Sequence, residues 1–233
     1  MIRATRFISF TTCLAALALV ATVSVADAFT LRAPQIVYNS ASVQAYLNGV
    51  GESIDADNDQ VDGQVWSTSI SGNSTFTFML EDAGDAAFNS IGVYNVDDAV
   101  PALFQVFPGA ATVGWYAVAH FGDASDLVVS LFDNNSVFQG QSFYLGVNKN
   151  RFGLYLTSTV GTFYSEDARN GGDPQMLTYA GTGVNFGTWW QCFEDRAFAS
   201  SDKDFNDAIM LVESVAATEA NLMTWGRLKR LYK

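Results

Sequence analysis

The feature that most narrows the fold is a pattern repeated from Thr75 to Glu213. Short stretches of alternating apolar and polar residues, or of β-branched and aromatic residues, are each closed by turn formers. Thr75-Phe76-Thr77-Phe78-Met79-Leu80 is the clearest alternating stretch. A period of two sends successive side chains to opposite faces of a strand. The pattern predicts strands over residues 75–80, 90–94, 102–107, 114–121, 127–132, 142–147, 152–158, 176–179, 188–193 and 208–213. Between them lie Gly72-Asn73, Pro108-Gly109, Asp133-Asn134-Asn135, Asn148-Lys149-Asn150 and Asn170-Gly171-Gly172-Asp173-Pro174. Many short strands with turn signals predict an all-β chain, an antiparallel β-sandwich of jelly-roll-like form. No βαβ alternation argues for a parallel sheet. One helix is expected near Ala41 to Leu47 and a second, amphipathic, in the C-terminal tail. Composition agrees: 49% of residues are hydrophobic and 14% aromatic, too apolar for a disordered chain. Asn89-Ser90-Ile91-Gly92-Val93-Tyr94 echoes Asn150-Arg151-Phe152-Gly153-Leu154-Tyr155. Bare backbone lets a ring pack across it, so the echo reads as two equivalent strands of a sandwich.

The first 28 residues read as a secretory signal peptide. Arg3 and Arg6 precede a mostly apolar run from Phe7 to Val25, and Ala26-Asp27-Ala28 sets small residues at a cleavage site. The expected location is extracellular or at the cell surface. Cleavage leaves Cys192 as the single cysteine, hence no internal disulfide. Among Trp189, Trp190 and Phe193, Cys192 reads as a small buried hydrophobe.

Charge excludes more. Residues 29–215 carry 22 acidic against six basic side chains, the wrong balance for binding nucleic acid. One histidine and two cysteines leave little room for zinc. His120 has Asp123, Ser125 and Asp126 near it in sequence, yet no Gly-x-Ser-x-Gly elbow accompanies it. A strand histidine with a polar neighbour is the expectation, and the chain is read as non-enzymatic.

The acids fall in two clusters. In Asp55-Ala56-Asp57-Asn58-Asp59-Gln60-Val61-Asp62-Gly63 the carboxylates alternate as they do in calcium loops. The EF-hand spacing fails, because Gln60 replaces the glycine and Trp66 the terminal glutamate. This loop is either a calcium loop of another type or a solvated acidic turn, the turn being favoured. The second cluster is Glu194 and Asp195 at the end of one apolar strand, with Asp202, Asp204, Asn206 and Asp207 leading into the next. If those strands pair as a hairpin, five carboxylates meet at one sheet end, with only Arg196 and Lys203 near in sequence to offset them. Such crowding raises carboxyl pKa values, and a hard dication relieves it. Calcium held by Glu194, Asp195, Asp202, Asp204 and Asp207 is favoured over a turn in which Asp and Asn cap their own backbone.

Phe193-Glu194-Asp195 followed by Asp202-Lys203-Asp204-Phe205-Asn206-Asp207 and an apolar strand resembles the ending of the domain-of-unknown-function 4114 family. Phe152 to Tyr155, Tyr164 to Asp167 and Gln175 to Tyr179 follow the family's order, so the resemblance covers residues 88–215, with 29–87 as the N-terminal part of the same β domain. Arg196 and a glycine-free loop depart from the family pattern. The resemblance implies an extracellular bacterial β domain that binds calcium and has no known catalysis. Residues 216–233 read as a linker, Ala216 to Asn221, and a basic tail from Leu222 to Lys233. The Trp225-Gly226 to Lys233 ending resembles short C-terminal tags of exported bacterial proteins. On a helix, Leu222, Trp225, Leu228, Leu231 and Tyr232 share one side, suited to a membrane surface or a docking groove. The expected function is a calcium-binding structural or adhesive protein, with cell-surface components or polysaccharide as partners. The alternative is a carbohydrate-binding module that uses exposed aromatics, with Trp189 or Trp190 as its platform.

Overall fold

In the computed structural model, residues 29–69, 71–83 and 86–218 are described. The signal segment 1–28 and the tail 222–233, with its expected helix, lie outside them. One α-helix, α1 (Ala41–Gly49), precedes fourteen strands among the described residues. They are β1 (Gln60–Val61), β2 (Val65–Thr68), β3 (Asn73–Leu80), β4 (Ser90–Asn95), β5 (Leu103–Phe107), β6 (Tyr116–Phe121) and β7 (Asp126–Phe132). There follow β8 (Phe138–Leu145), β9 (Phe152–Thr157), β10 (Thr162–Tyr164), β11 (Met176–Ala180), β12 (Thr188–Phe193), β13 (Ala208–Glu213) and β14 (Val215–Thr218).

The strands form two antiparallel sheets, as expected of a sandwich. The larger runs β1-β11-β12-β13-β3-β6-β7-β8 and the smaller β14-β2-β9-β4-β5, with β10 beside β9. Alternation decides what lies between them. On β3, Phe76 and Phe78 point inward, as do Ala117, Ala119 and Phe121 on β6 and Leu127 and Val129 on β7. They meet Ile91, Val93, Phe104, Val106, Phe152, Leu154 and Leu156 of the small sheet. At roughly 1.5–3 kcal/mol per fully buried large apolar side chain, this layer dominates stability.

The large sheet carries a second cluster on its outer face. Val43 and Leu47, one turn apart on α1, pack with Leu177, Tyr179, Trp190, Cys192 and Ile209. Trp189 and Trp190 do face opposite ways, but both are buried, at 6% and 0% exposure. Trp189 lies in the inter-sheet core, edge-on to Trp66, and its Nε1 donates to the Val215 carbonyl (2.9 Å). Trp190 lies beneath α1, and its Nε1 donates to Glu52 Oε1 (2.8 Å). Neither ring offers a platform for a sugar, because α1 covers the face that strand alternation alone would leave open. Cys192 is fully buried, and burial raises its thiol pKa.

The echoed segments are β4 and β9, and they are neighbours. Gly92 pairs with Tyr155 and Gly153 with Tyr94. A Cβ on Gly153 would stand 2.3 Å from the Tyr94 ring, and one on Gly92 would stand 2.2 Å from the Phe104 carbonyl oxygen. Each ring therefore lies across bare backbone, and neither glycine tolerates a side chain.

Residues 216–218, expected to begin a linker, belong to β14 and pair with β2. Ser214, at φ +60°, is the single residue between β13 and β14, where the chain changes sheets. No helix among the described residues is long and apolar enough to cross a membrane.

Candidate metal centre

The expected hairpin is present: β12 pairs with β13, with Phe193 opposite Ala208. On the other side of β13 lies β3, with Leu80 opposite Ile209. Both neighbours run antiparallel to β13, so β3 and β12 finish at the same end of the sheet. Each finishes in the same dipeptide, Glu81-Asp82 and Glu194-Asp195. Asp207 immediately precedes β13 between them.

Of the five predicted ligands, the structure gathers three. Glu194, Asp202 and Asp204 each place one carboxylate oxygen within 4.8 Å of the others. Glu194 is fully buried, and Oε1 accepts the Phe205 backbone N–H (2.7 Å). Its other oxygen, Oε2, is buried without a hydrogen-bond partner. The nearby Ser201 hydroxyl stands 3.4 Å from the Phe198 carbonyl and also faces the Glu194 carboxyl, whose pKa it lowers. Asp204 accepts from Asn206 Nδ2 (2.8 Å) and stands 3.5 Å from the Ser42 hydroxyl, which reaches it from α1. Asp202 is exposed. Asp195 and Asp207 form an adjoining group instead. The Asp195 backbone N–H donates to Asp207 Oδ2 (2.8 Å), and Asp195 Oδ2 accepts from Asn89 Nδ2 (3.1 Å).

Electrostatics follows from this crowding. Burial raises the Glu194 carboxyl pKa, the Phe205 amide and the Ser201 hydroxyl oppose the rise, and the charges of Asp202 and Asp204 add to it. Burial and Asp202 likewise raise Asp204. Burial carries Asp207 up to about 7, with Asp195, Glu194 and Asp202 contributing against the Asp195 amide. The two neighbouring bases do little to offset this. Lys203 Nζ sits over the Phe198 ring (4.5 Å), and Arg196 Nε is 3.9 Å from Asp195 Oδ1.

The loop backbone is unusual as well. Lys203 and Phe205 adopt φ of +58° and +53°, in the left-handed region that costs a non-glycine residue roughly 1–2 kcal/mol. Phe205 is fully buried, edge-on to Tyr38 at 5.3 Å, and this packing holds the loop in its strained form.

Sequence reasoning missed Glu81, Asp82, Asn89, Ser42 and Ser201 at this end. A signal for two of them was present, since Leu80-Glu81-Asp82 closes an apolar strand as Phe193-Glu194-Asp195 does. Together with Ser200, Ser201 and Arg196, the residues Asp82, Asp195, Asp202 and Asp207 line an open cleft of about 310 Å³.

The first acidic cluster is a different object. Asp55 accepts from the Asp57 backbone N–H (3.0 Å) and from Asn58 Nδ2 (2.9 Å), and its own N–H donates to Asp59 Oδ2 (2.8 Å). These bonds, that from Asn58 foremost, hold the fully exposed Asp55 carboxyl below its usual range. His120 is exposed on β6, with Nδ1 2.8 Å from Asn73 Oδ1, a strand histidine with a polar neighbour.

Comparisons of the chain with protein-family models, curated proteins and solved structures return no match.

Proposed function

We propose that this chain is an exported, non-enzymatic β-sandwich that binds calcium through Glu194, Asp202 and Asp204. Its role is structural or adhesive at the cell surface or in the extracellular space. The observation that carries the ion site is Glu194 Oε2, a fully buried carboxylate oxygen without a donor, beside two further carboxylates. A buried acceptor left unpaired costs about 1–3 kcal/mol, and more when charged. A dication with oxygen ligands removes that cost. Calcium suits the site better than magnesium because it tolerates irregular coordination. The ion would tie β12 to the strained loop before β13, linking metal binding to folding.

The test is a thermal melt of the full chain in EDTA and in millimolar calcium, with Glu194→Gln and Asp204→Asn alongside. A calcium-dependent rise in Tm that both substitutions abolish is the expected result. Superimposed melts for the unmodified protein in the two buffers would sink the reading.

Carbohydrate binding is the second reading, favoured by the bare outer face of β6, β7 and β8 rather than by the tryptophans. Tyr116 and Phe132 stack at 5.0 Å, Phe138 meets Phe132 at 5.7 Å, and Phe138 and Phe143 are more than half exposed. Stacked rings beside Ser130 and Gln141 make a surface on which a sugar ring can lie. Glycan-array binding that Phe138→Ala and Phe143→Ala remove would support it. Docking of the basic tail on an anionic membrane belongs to the same proposal. It predicts that removal of residues 222–233 ends sedimentation with vesicles containing anionic lipid.

A further inference from the structure

Among the described residues, β1 and β8 are the edges of the large sheet, and β14 and β5 those of the small one. Three of these edges are short or covered. Beside β1 runs the segment around Leu31, where Arg32 N–H donates to the Gln60 carbonyl and Asp62 N–H to the Thr30 carbonyl (2.8 Å each). On β5, the Gln105 carbonyl accepts the Tyr144 hydroxyl (3.1 Å). β14 spans four residues. β8 spans eight, and no described strand pairs with its outer side. Edge strands are usually blunted by charge, proline or a bulge. β8 has no charged residue and no proline. Its register shift lies at the Phe138 end, and Gly140 to Leu145 pair with β7 without interruption.

Charge points to what covers this edge. The chain carries a net charge of −12, so two copies repel over most of their surface. Two β8 strands set side by side oppose no acid to another acid. The strand is also self-complementary. A twofold axis normal to the sheet, placed at Ser142, sets Gly140 opposite Tyr144 of the second copy and Gln141 opposite Phe143. Gly140 and Tyr144 lie on the inner face, since they pair with Leu131 and Leu127 of β7. Gly140 has a φ of +148°, and a Cβ on it would meet nothing within 4 Å, so its inner side is open. The second copy's Tyr144 beside it repeats the glycine–tyrosine pairing of β4 with β9. On the outer face, Phe143 is 61% exposed. The two Phe143 residues then stand diagonally at roughly 7–8 Å, within reach of aromatic rings.

We propose that β8 is a homodimer interface, pairing antiparallel with a second copy of this chain about Ser142 and joining the two large sheets into one. This is independent of the calcium reading. Eight residues a side is well below the roughly 20–30 of a standard interface, so the expected dissociation constant is on the order of micromolar or weaker.

The experiment is sedimentation velocity of the full chain in EDTA from low micromolar to near-millimolar concentration, with circular dichroism to verify folding. A concentration-dependent dimer is expected. Ser142 is exposed, and Ser142→Lys and Ser142→Asp should each weaken the dimer roughly fivefold or more, since either sets like charges opposite one another. A cysteine trap reads the register in a Cys13→Ser background, Cys192 being fully buried. Ser142→Cys should form a disulfide dimer on mild oxidation, because residues directly opposite have Cα atoms about 4.5–5.5 Å apart. Leu145→Cys should not, its two copies lying about 20 Å apart along the strands. A monomer at every concentration overturns the proposal and leaves the edge to a strand from another protein or to the chain's own tail. A dimer unchanged in both Ser142 variants, or trapped by Leu145→Cys in preference to Ser142→Cys, overturns it too.

Discussion

Two loops of this chain have nearly the same chemistry on paper and opposite physics in the fold. Residues 55–62 and 202–207 both alternate aspartate with other residues. The first loop turns its carboxylates onto its own backbone and leaves them in water. The second is pinned by a buried phenylalanine, and the Glu194 oxygen it surrounds has no donor. The difference is whether acceptors outnumber donors once water has been removed. Local acid density is the same signal in both, so it cannot by itself identify an ion site.

The largest way to break the contrast is to remove the pin. Phe205→Ala should cost about 3–5 kcal/mol by chemical denaturation, as for other buried aromatics, and should abolish the calcium response. Retained calcium stabilisation in that variant would show that Phe205 does not shape the site.

Next comes the ion itself. At a free calcium concentration one hundred times Kd, the native state should gain about 2.7 kcal/mol. Glu194→Gln removes this gain. Asp57→Asn/Asp59→Asn, in the first loop, leaves it unchanged. A loss in the latter variant would move the site to residues 55–62.

Protons sharpen the contrast further, because the 55–62 loop and the acidic sheet end formed by Asp207 and Glu81 respond with opposite sign. Asp207 and Glu81 have folded pKa values raised to about 7, so the folded state binds their protons more readily than the unfolded one. Their stabilising effect is fully present below the unfolded carboxyl pKa of about 4 and is lost as pH rises to about 7. In EDTA, stability should therefore fall across that window, by on the order of 1 kcal/mol per group after allowing for solvent screening. Calcium should flatten or reverse the slope. Asp55 is held below its usual range, so its effect is present above about pH 4 and is lost in more acid solution. Denaturation midpoints between pH 3 and 8, with and without calcium, read both slopes. A flat profile in EDTA between pH 4 and 7 would show that the buried acids are not perturbed.

The smallest effect is expected from Asp55→Ala. It should lower Tm slightly and equally in EDTA and in calcium, because its hydrogen bonds stay within the turn.

Alternation, with short β-branched and aromatic runs, found most of the strands that carry the core, though not β1 and β2, which supply Val61 and Trp66. The stretch 208–213 became β13 without change, and the hairpin with β12 brought Glu194 and Asp195 to the start of the next strand as expected. Glu81 and Asp82 were out of reach because their strand lies more than a hundred residues from β12 and joins the site through sheet order, which periodicity does not encode. Val215-Ala216-Ala217-Thr218 escaped because alanine is a weak strand former and the segment is too short to show a period. The tryptophans show the same limit. Period two correctly set Trp189 and Trp190 on opposite faces, but α1, from far earlier in the chain, decides that the second face is also covered.

That β14 runs to Thr218 also sets how closely the sandwich can be held. From Thr218 to Leu222 a fully extended chain reaches about 14 Å at most. Any partner that grips the tail from Leu222 onward therefore holds the small sheet within that reach, by its β14 edge. The tail would act as a short leash, setting the domain's height and restricting which face it can turn outward.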